Sequence, residues 1–174
     1  MRAIEIFERS SATKGDFKTL YCSRKLLNGK EIVEWAKSQG LPKCLDPDNM
    51  HVTVAYSKEK IDWSEMTDSF DNVRSDGGKR EMALFGQNKD AVVLKFECPD
   101  LDSRWQEFKD DFGASWDFDG YNPHVTISYD GLPKGIDIDD IEPFEGVLEF
   151  GPEKMDIVDL KWRGKVKETK LDTE

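Results

Sequence analysis

"HVTVAY" occupies residues 51–56 and "HVTISY" occupies residues 124–129, and together they contain both histidines of the chain. Each copy runs His-Val-Thr, an aliphatic residue, a small residue and Tyr. Short runs rich in β-branched and aromatic residues predict strands. Strict alternation sets His51, Thr53 and Ala55 on one face of the first strand, against Val52, Val54 and Tyr56. It sets His124, Thr126 and Ser128 against Val125, Ile127 and Tyr129 in the second. Each strand then has an apolar face for a core and a polar face whose imidazole and hydroxyl lie ~7 Å apart by strand rise. Tyr56 and Tyr129 fall on the core side and read as packing residues.

The same repetition extends outward. "FKTLYCS" alternates with Phe17, Thr19 and Tyr21 on one face and predicts a strand over 17–23. "NGKEIVEWAKSQG" sets Ile32, Val33, Trp35 and Ala36 at helical spacing ahead of Gly40, predicting a helix over 28–39. The loop "LPKCLDPDNM" leads into the first histidine strand. In the second half, "REMALFGQ" and "AVVLKFEC" predict a β-hairpin across "NKD". "PDLDSRWQEFKDDFG" carries Leu101, Trp105, Phe108 and Phe112 on one helical face, with Asp100 or Asp102 as N-cap. The loop "ASWDFDGYNP" leads into the second histidine strand. "GVLEFG" and "KMDIVDLKW" predict two closing strands, and "RGKVKETKLDTE" a frayed tail. Two halves of one organisation therefore follow each other.

Composition narrows the function classes. The formal charge of −11 opposes non-specific binding to long DNA or RNA, which calls for a basic protein. Cys22, Cys44 and Cys98 are odd in number and far apart, so a zinc site is not expected and reduced thiols in the cytoplasm are. "MRAIEIFERSS" carries Glu5 and Glu8 within its apolar part and does not read as a signal peptide. No run approaches the ~20 apolar residues of a membrane span.

Two histidine strands brought side by side would line a cleft with two imidazoles and two hydroxyls. Phosphodiester cleavage needs a base for the nucleophile and an acid for the leaving oxygen, and imidazole suits both roles. The hydroxyls of Thr53 and Thr126 would donate to the non-bridging phosphate oxygens. The two halves are alike, so the motif assigns acid to neither His51 nor His124.

The pair His51-Val52-Thr53 and His124-Val125-Thr126 resembles the signature of the two-histidine (2H) phosphoesterase superfamily. Within it, "EIVEWAKSQGLP", "DPDNMHVTVAYS", "NPHVTISYD" and "FEGVLEFGPEKMDIVDLKW" are most similar to phage anti-CBASS nucleases. The resemblance implies an α+β bilobal fold: two pseudo-symmetric antiparallel-sheet lobes, helices packed outside, and a central groove. It implies a single domain over 1–162 and a flexible tail over 163–174. It implies a metal-independent hydrolase without cofactor that opens 3′,5′-linked cyclic di- and trinucleotides in the cytoplasm of an infected bacterium. Substrate contacts carry over to Asp156, to Trp162 and to an aromatic of the first strand, Tyr21 or else Phe17. Lys18, Arg24 and Lys25 are candidates to offset phosphate charge. Two other readings use the same features: an RNA-end or 2′,3′-cyclic phosphate phosphodiesterase, and a protein that sequesters cyclic nucleotides without cleaving them.

Overall fold

Among the described residues seven strands form one antiparallel sheet, and the two histidine strands are neighbours near its middle. The computed structural model describes residues 15–158 apart from 68 and 87, and the backbone of 168–170. The elements are β1 (Phe17–Leu26), α1 (Gly29–Ser38), β2 (Lys43–Leu45), β3 (His51–Asp62), β4 (Val73–Ser75), β5 (Glu81–Phe85), β6 (Ala91–Lys95), α2 (Pro99–Phe112), β7 (His124–Ser128), β8 (Leu148–Asp156) and β9 (Glu168–Lys170). The sheet order is β4-β8-β1-β3-β7-β6-β5. The α+β class and antiparallel organisation match the sequence reading. The two halves share one sheet, joined where Val52 of β3 pairs with Val125 of β7.

The local chemistry explains the elements. Ile32 and Ala36 bury one face of α1, and Gly40 follows the helix with φ +81°, a conformation that favours glycine. Pro99 opens α2 where its missing N–H costs nothing, and Gly113 closes it in the left-handed region. The N-cap is Cys98, not Asp100 or Asp102, which lie in the first turn and complement the helix dipole. The hairpin forms as expected, with Glu81 to Phe85 paired to Lys95 to Ala91.

Three expectations need correction. The loop before the first histidine strand contains β2, which pairs with residues 168–170 inside the predicted tail. The two closing strands are one, β8, and Pro152 is accommodated at an irregularity in its ladder with β1. The alternation read along both histidine motifs breaks after the threonine. Cys22 pairs with Ala55 but Ser23 with Thr53, and Val92 pairs with Ser128 but Val93 with Thr126. Each is a β-bulge, with Val54 or Ile127 as the extra residue. The bulges turn Ala55 and Ser128 into the core and swing Tyr56 to the histidine face.

The core lies on the Val52/Val125 side of the sheet, where Leu20, Leu26, Leu94, Phe108, Ile127 and Phe150 are buried. Cys22, Cys44 and Cys98 are buried in it. Arg24 belongs there too, only 3% exposed, with Nη1 donating to the carbonyls of Asp71 and Gly151 at 2.7 Å. Its strand alternation points it away from the histidine face, so it is not available to a phosphate.

Candidate active site

His51 and His124 start β3 and β7, and each is aligned by the same local device. His51 Nδ1 lies 2.9 Å from the carbonyl oxygen of Asn49, and His124 Nδ1 lies 2.8 Å from that of Asn122. A carbonyl only accepts, so each Nδ1 carries the proton and each Nε2 is the basic nitrogen. The repeated unit is therefore Asn-x-His-Val-Thr. Its asparagine stands two residues before the histidine in both copies, a sequence signal that matches the histidine repeat.

The antiparallel register makes Val52 and Val125 the centre of a pseudo-two-fold axis. The axis exchanges His51 with His124 and Thr53 with Thr126. All four flank the buried valines, so all four project from the opposite face. The two histidines occupy diagonal positions, for which ~7–8 Å is the usual separation. The charge of His51 lowers the pKa of His124, in keeping with that proximity. Burial is the main cause of the lowered pKa in both rings, opposed by the carbonyl at Nδ1. Both imidazoles are thus biased toward the neutral, proton-accepting form.

Aromatic rings brace the pair. Tyr21 stands edge-on to His51 at 6.2 Å, and Phe85 edge-on to His124 at 4.7 Å between centroids. The Tyr21 hydroxyl lies 3.3 Å from Thr53 Oγ1, and burial raises its pKa. Tyr121 donates to the Thr53 carbonyl at 2.6 Å, tying the loop before His124 to the other histidine strand.

A cavity of about 450 Å³ opens beside His51. Tyr21, Lys25, Tyr56, Lys154 and Asp156 line it. The ladder places Tyr21 between Tyr56 and Asp156, so these three share one face. The structure thus brings His51, Tyr21 and Asp156 to one cavity, links Thr53 to it through the Tyr21 hydroxyl, and sets His124 and Thr126 across the pseudo-two-fold axis. Phe17 is not gathered: it is 60% exposed at the far end of β1, opposite Asp62. Lys18 is also remote from the cavity, over the Trp63 ring and paired with Asp16. Trp162 lies outside the described residues. Tyr56, Phe85 and Tyr121 were missed by sequence reasoning. The first needs the bulge, Phe85 comes from a strand remote from His124 in sequence, and Tyr121, though close to His124, acts on Thr53 of the distant strand.

The family profile described as anti-CBASS protein Acb1 matches residues 18–165. The chain belongs to the Acb1 family. An Acb1 relative from Caulobacter sp. (strain RHG1) is 39% identical over 166 residues, covering 92% of this chain and 26% of the relative. One from Vibrio phage KVP40 is 37% identical over 105 residues, covering 59% of this chain and 66% of the relative. The chain spans about a quarter of the length of the curated Acb1 relatives from Caulobacter and Sphingomonas paeninsulae. Among solved structures, E. coli LigT complexed with 3′-AMP superposes with a TM-score of 0.54 at 14% identity, covering 90% of this chain and 97% of LigT. That likeness extends the 2H-phosphoesterase-like fold to this Acb1 member. Among the described residues no helix is long and apolar enough to cross a membrane.

Proposed function

We propose that this chain is a phosphodiesterase of the two-histidine class that opens 3′,5′-linked cyclic di- and trinucleotides and so silences the CBASS response of an infected bacterium. The observation that carries the reading is the symmetric pair of imidazoles, each fixed through Nδ1 and placed on one face beside a threonine. The family name and the phage relatives supply the biological setting. The substrate would be met in the host cytoplasm.

In the reaction, one neutral imidazole removes the proton from the nucleophile, a water or the neighbouring ribose 2′-hydroxyl. The nucleophile's oxygen bonds to phosphorus and the phosphorus–O5′ bond breaks. The second imidazole, protonated, gives its proton to the departing O5′. Thr53 and Thr126 donate to the non-bridging oxygens as charge grows there. Attack by the 2′-hydroxyl leaves a 2′,3′-cyclic phosphate end, and attack by water leaves a 3′-phosphate. Tyr21 and Tyr56 offer ring surface to a base, and Asp156 an acceptor for an amino or hydroxyl group.

The test is incubation with cyclic di- and trinucleotides and with 2′,3′-cyclic mononucleotides in EDTA, with products resolved by chromatography and mass. Ring opening of the cyclic oligonucleotides is expected. His51→Ala and His124→Ala should each lower kcat by about 10²–10⁴-fold, and the double variant should be little worse than either single one. Cleavage of the 2′,3′-cyclic mononucleotides alone would move the chain to RNA-end metabolism. Tight retention of intact ligand would make it a sequestering protein.

A further inference from the structure

The pseudo-two-fold relates more than the motifs. Lys25 of β1 pairs with His51, and Lys95 of β6 pairs with His124. Directly paired residues point to the same face, so each histidine has one lysine as its outer neighbour. A cavity adjoins each lysine: about 450 Å³ with Lys25, Asn49 and His51, and about 220 Å³ with Lys95, Lys79 and Asn122, where Glu81, Glu97 and Asp102 also line the wall. The lysines stand on the strands outside β3 and β7, roughly 16 Å apart at Cα measured along the sheet. Their flexible four-carbon stems shorten that span from both ends. It is wider than one mononucleotide phosphate requires.

Each lysine is held by a weak tether. Lys25 Nζ lies 3.2 Å from Asp48, and Lys95 Nζ lies 3.4 Å from Glu81. Ion pairs this exposed contribute little, so a phosphate can displace the carboxylate. The need is physical: a chain of charge −11 repels a polyanion unless cations stand at the site.

We infer that Lys25 and Lys95 are paired specificity residues that hold the non-scissile phosphates of the substrate on either side of the histidines. This rests on the proposed phosphodiesterase reading and deepens it, because it makes a second phosphate a condition of tight binding. The larger cavity, with the rings of Tyr21 and Tyr56, is the side that accommodates a base.

Steady-state kinetics with a 3′,3′-cyclic trinucleotide, which keeps one non-scissile phosphate on each side of the scissile one, decide the matter. Lys25→Gln and Lys95→Gln should each raise KM about tenfold, with the loss in KM rather than kcat. Lys25→Arg and Lys95→Arg should restore most of it, and the salt dependence of kcat/KM should become shallower in the glutamine variants. Asp48→Asn and Glu81→Gln, which remove the competing carboxylates, should lower KM. Both lysines are surface residues, and thermal melts check that the variants are folded. An unchanged KM in both glutamine variants overturns the inference and leaves the proposed function standing. A loss confined to kcat also overturns it, by assigning the lysines to the chemistry. A wild-type protein that leaves cyclic di- and trinucleotides intact overturns the proposed function itself, and this inference with it.

Discussion

Val52 and Val125 face each other across the ladder pair that joins β3 to β7, and both are fully buried. The same pair anchors two halves of the core and sets the diagonal relation of His51 to His124. Truncating either valine removes apolar contact at the junction of the halves. Val52→Ala or Val125→Ala should cost about 1–3 kcal/mol. Urea denaturation reads the cost, and kcat should fall with it as the histidines lose their common frame.

Stability should depend on pH through the two histidines. Burial holds both below the ordinary value of 6.5. As pH falls past 6.5, the unfolded chain takes up protons that the folded chain still resists, so unfolding gains. Stability is full above the unfolded value and declines through the window down to the folded ones. Urea midpoints at pH 7.5, 6.0 and 5.0 should show this slope, and His51→Gln/His124→Gln should flatten it. The catalytic consequence runs the same way. A reaction needing one neutral and one protonated imidazole loses kcat/KM as pH rises above the ordinary histidine value, and should be fastest on its acid side.

Tyr121 ties the loop before His124 to the strand that starts at His51, through its hydroxyl on the Thr53 carbonyl and its ring stacked on Trp105 at 5.5 Å. Tyr121→Phe keeps the ring and removes the donor. It should cost about 1–2 kcal/mol and lower kcat several-fold, as read by melting and kinetics. Burial holds the Tyr121 hydroxyl well above its ordinary 10.0, so the wild type should lose stability as pH rises past 10, and the variant should lose less.

Glu153 is the hub of a buried charge cluster. It accepts from Arg104 Nε at 2.8 Å and Nη2 at 2.9 Å, and lies 3.7 Å from Arg24. Glu153→Ala leaves the Arg24 cation buried without its counter-charge, and should cost ~3–5 kcal/mol. Arg24→Met/Glu153→Leu removes the buried Arg24–Glu153 pair, leaves Arg104 with Glu107, and should cost less than the single change, by urea denaturation.

Most elements were legible because their signals are local. The apolar spacing of Ile32, Val33, Trp35 and Ala36 needs only a helix to make sense, and so does that of Leu101, Trp105 and Phe108. The two motifs pointed to the proposed chemistry because an imidazole and a hydroxyl two residues apart must share a strand face. Tyr56 was misplaced because period-2 reasoning cannot see a bulge, which is specified by the partner strand. Arg24 was misplaced because the acid that accepts its charge, Glu153, is far away in sequence.

By itself the sequence determined the repeat, the strand identity of both motifs and the four residues on which the proposed chemistry rests, since each follows from spacing along the chain. Only the tertiary structure decided that Val52 meets Val125, that a lysine stands beside each histidine and that Tyr56 turns into the groove. Those relations depend on ladder register between distant strands, and register is settled by burying two apolar faces together rather than by any one segment.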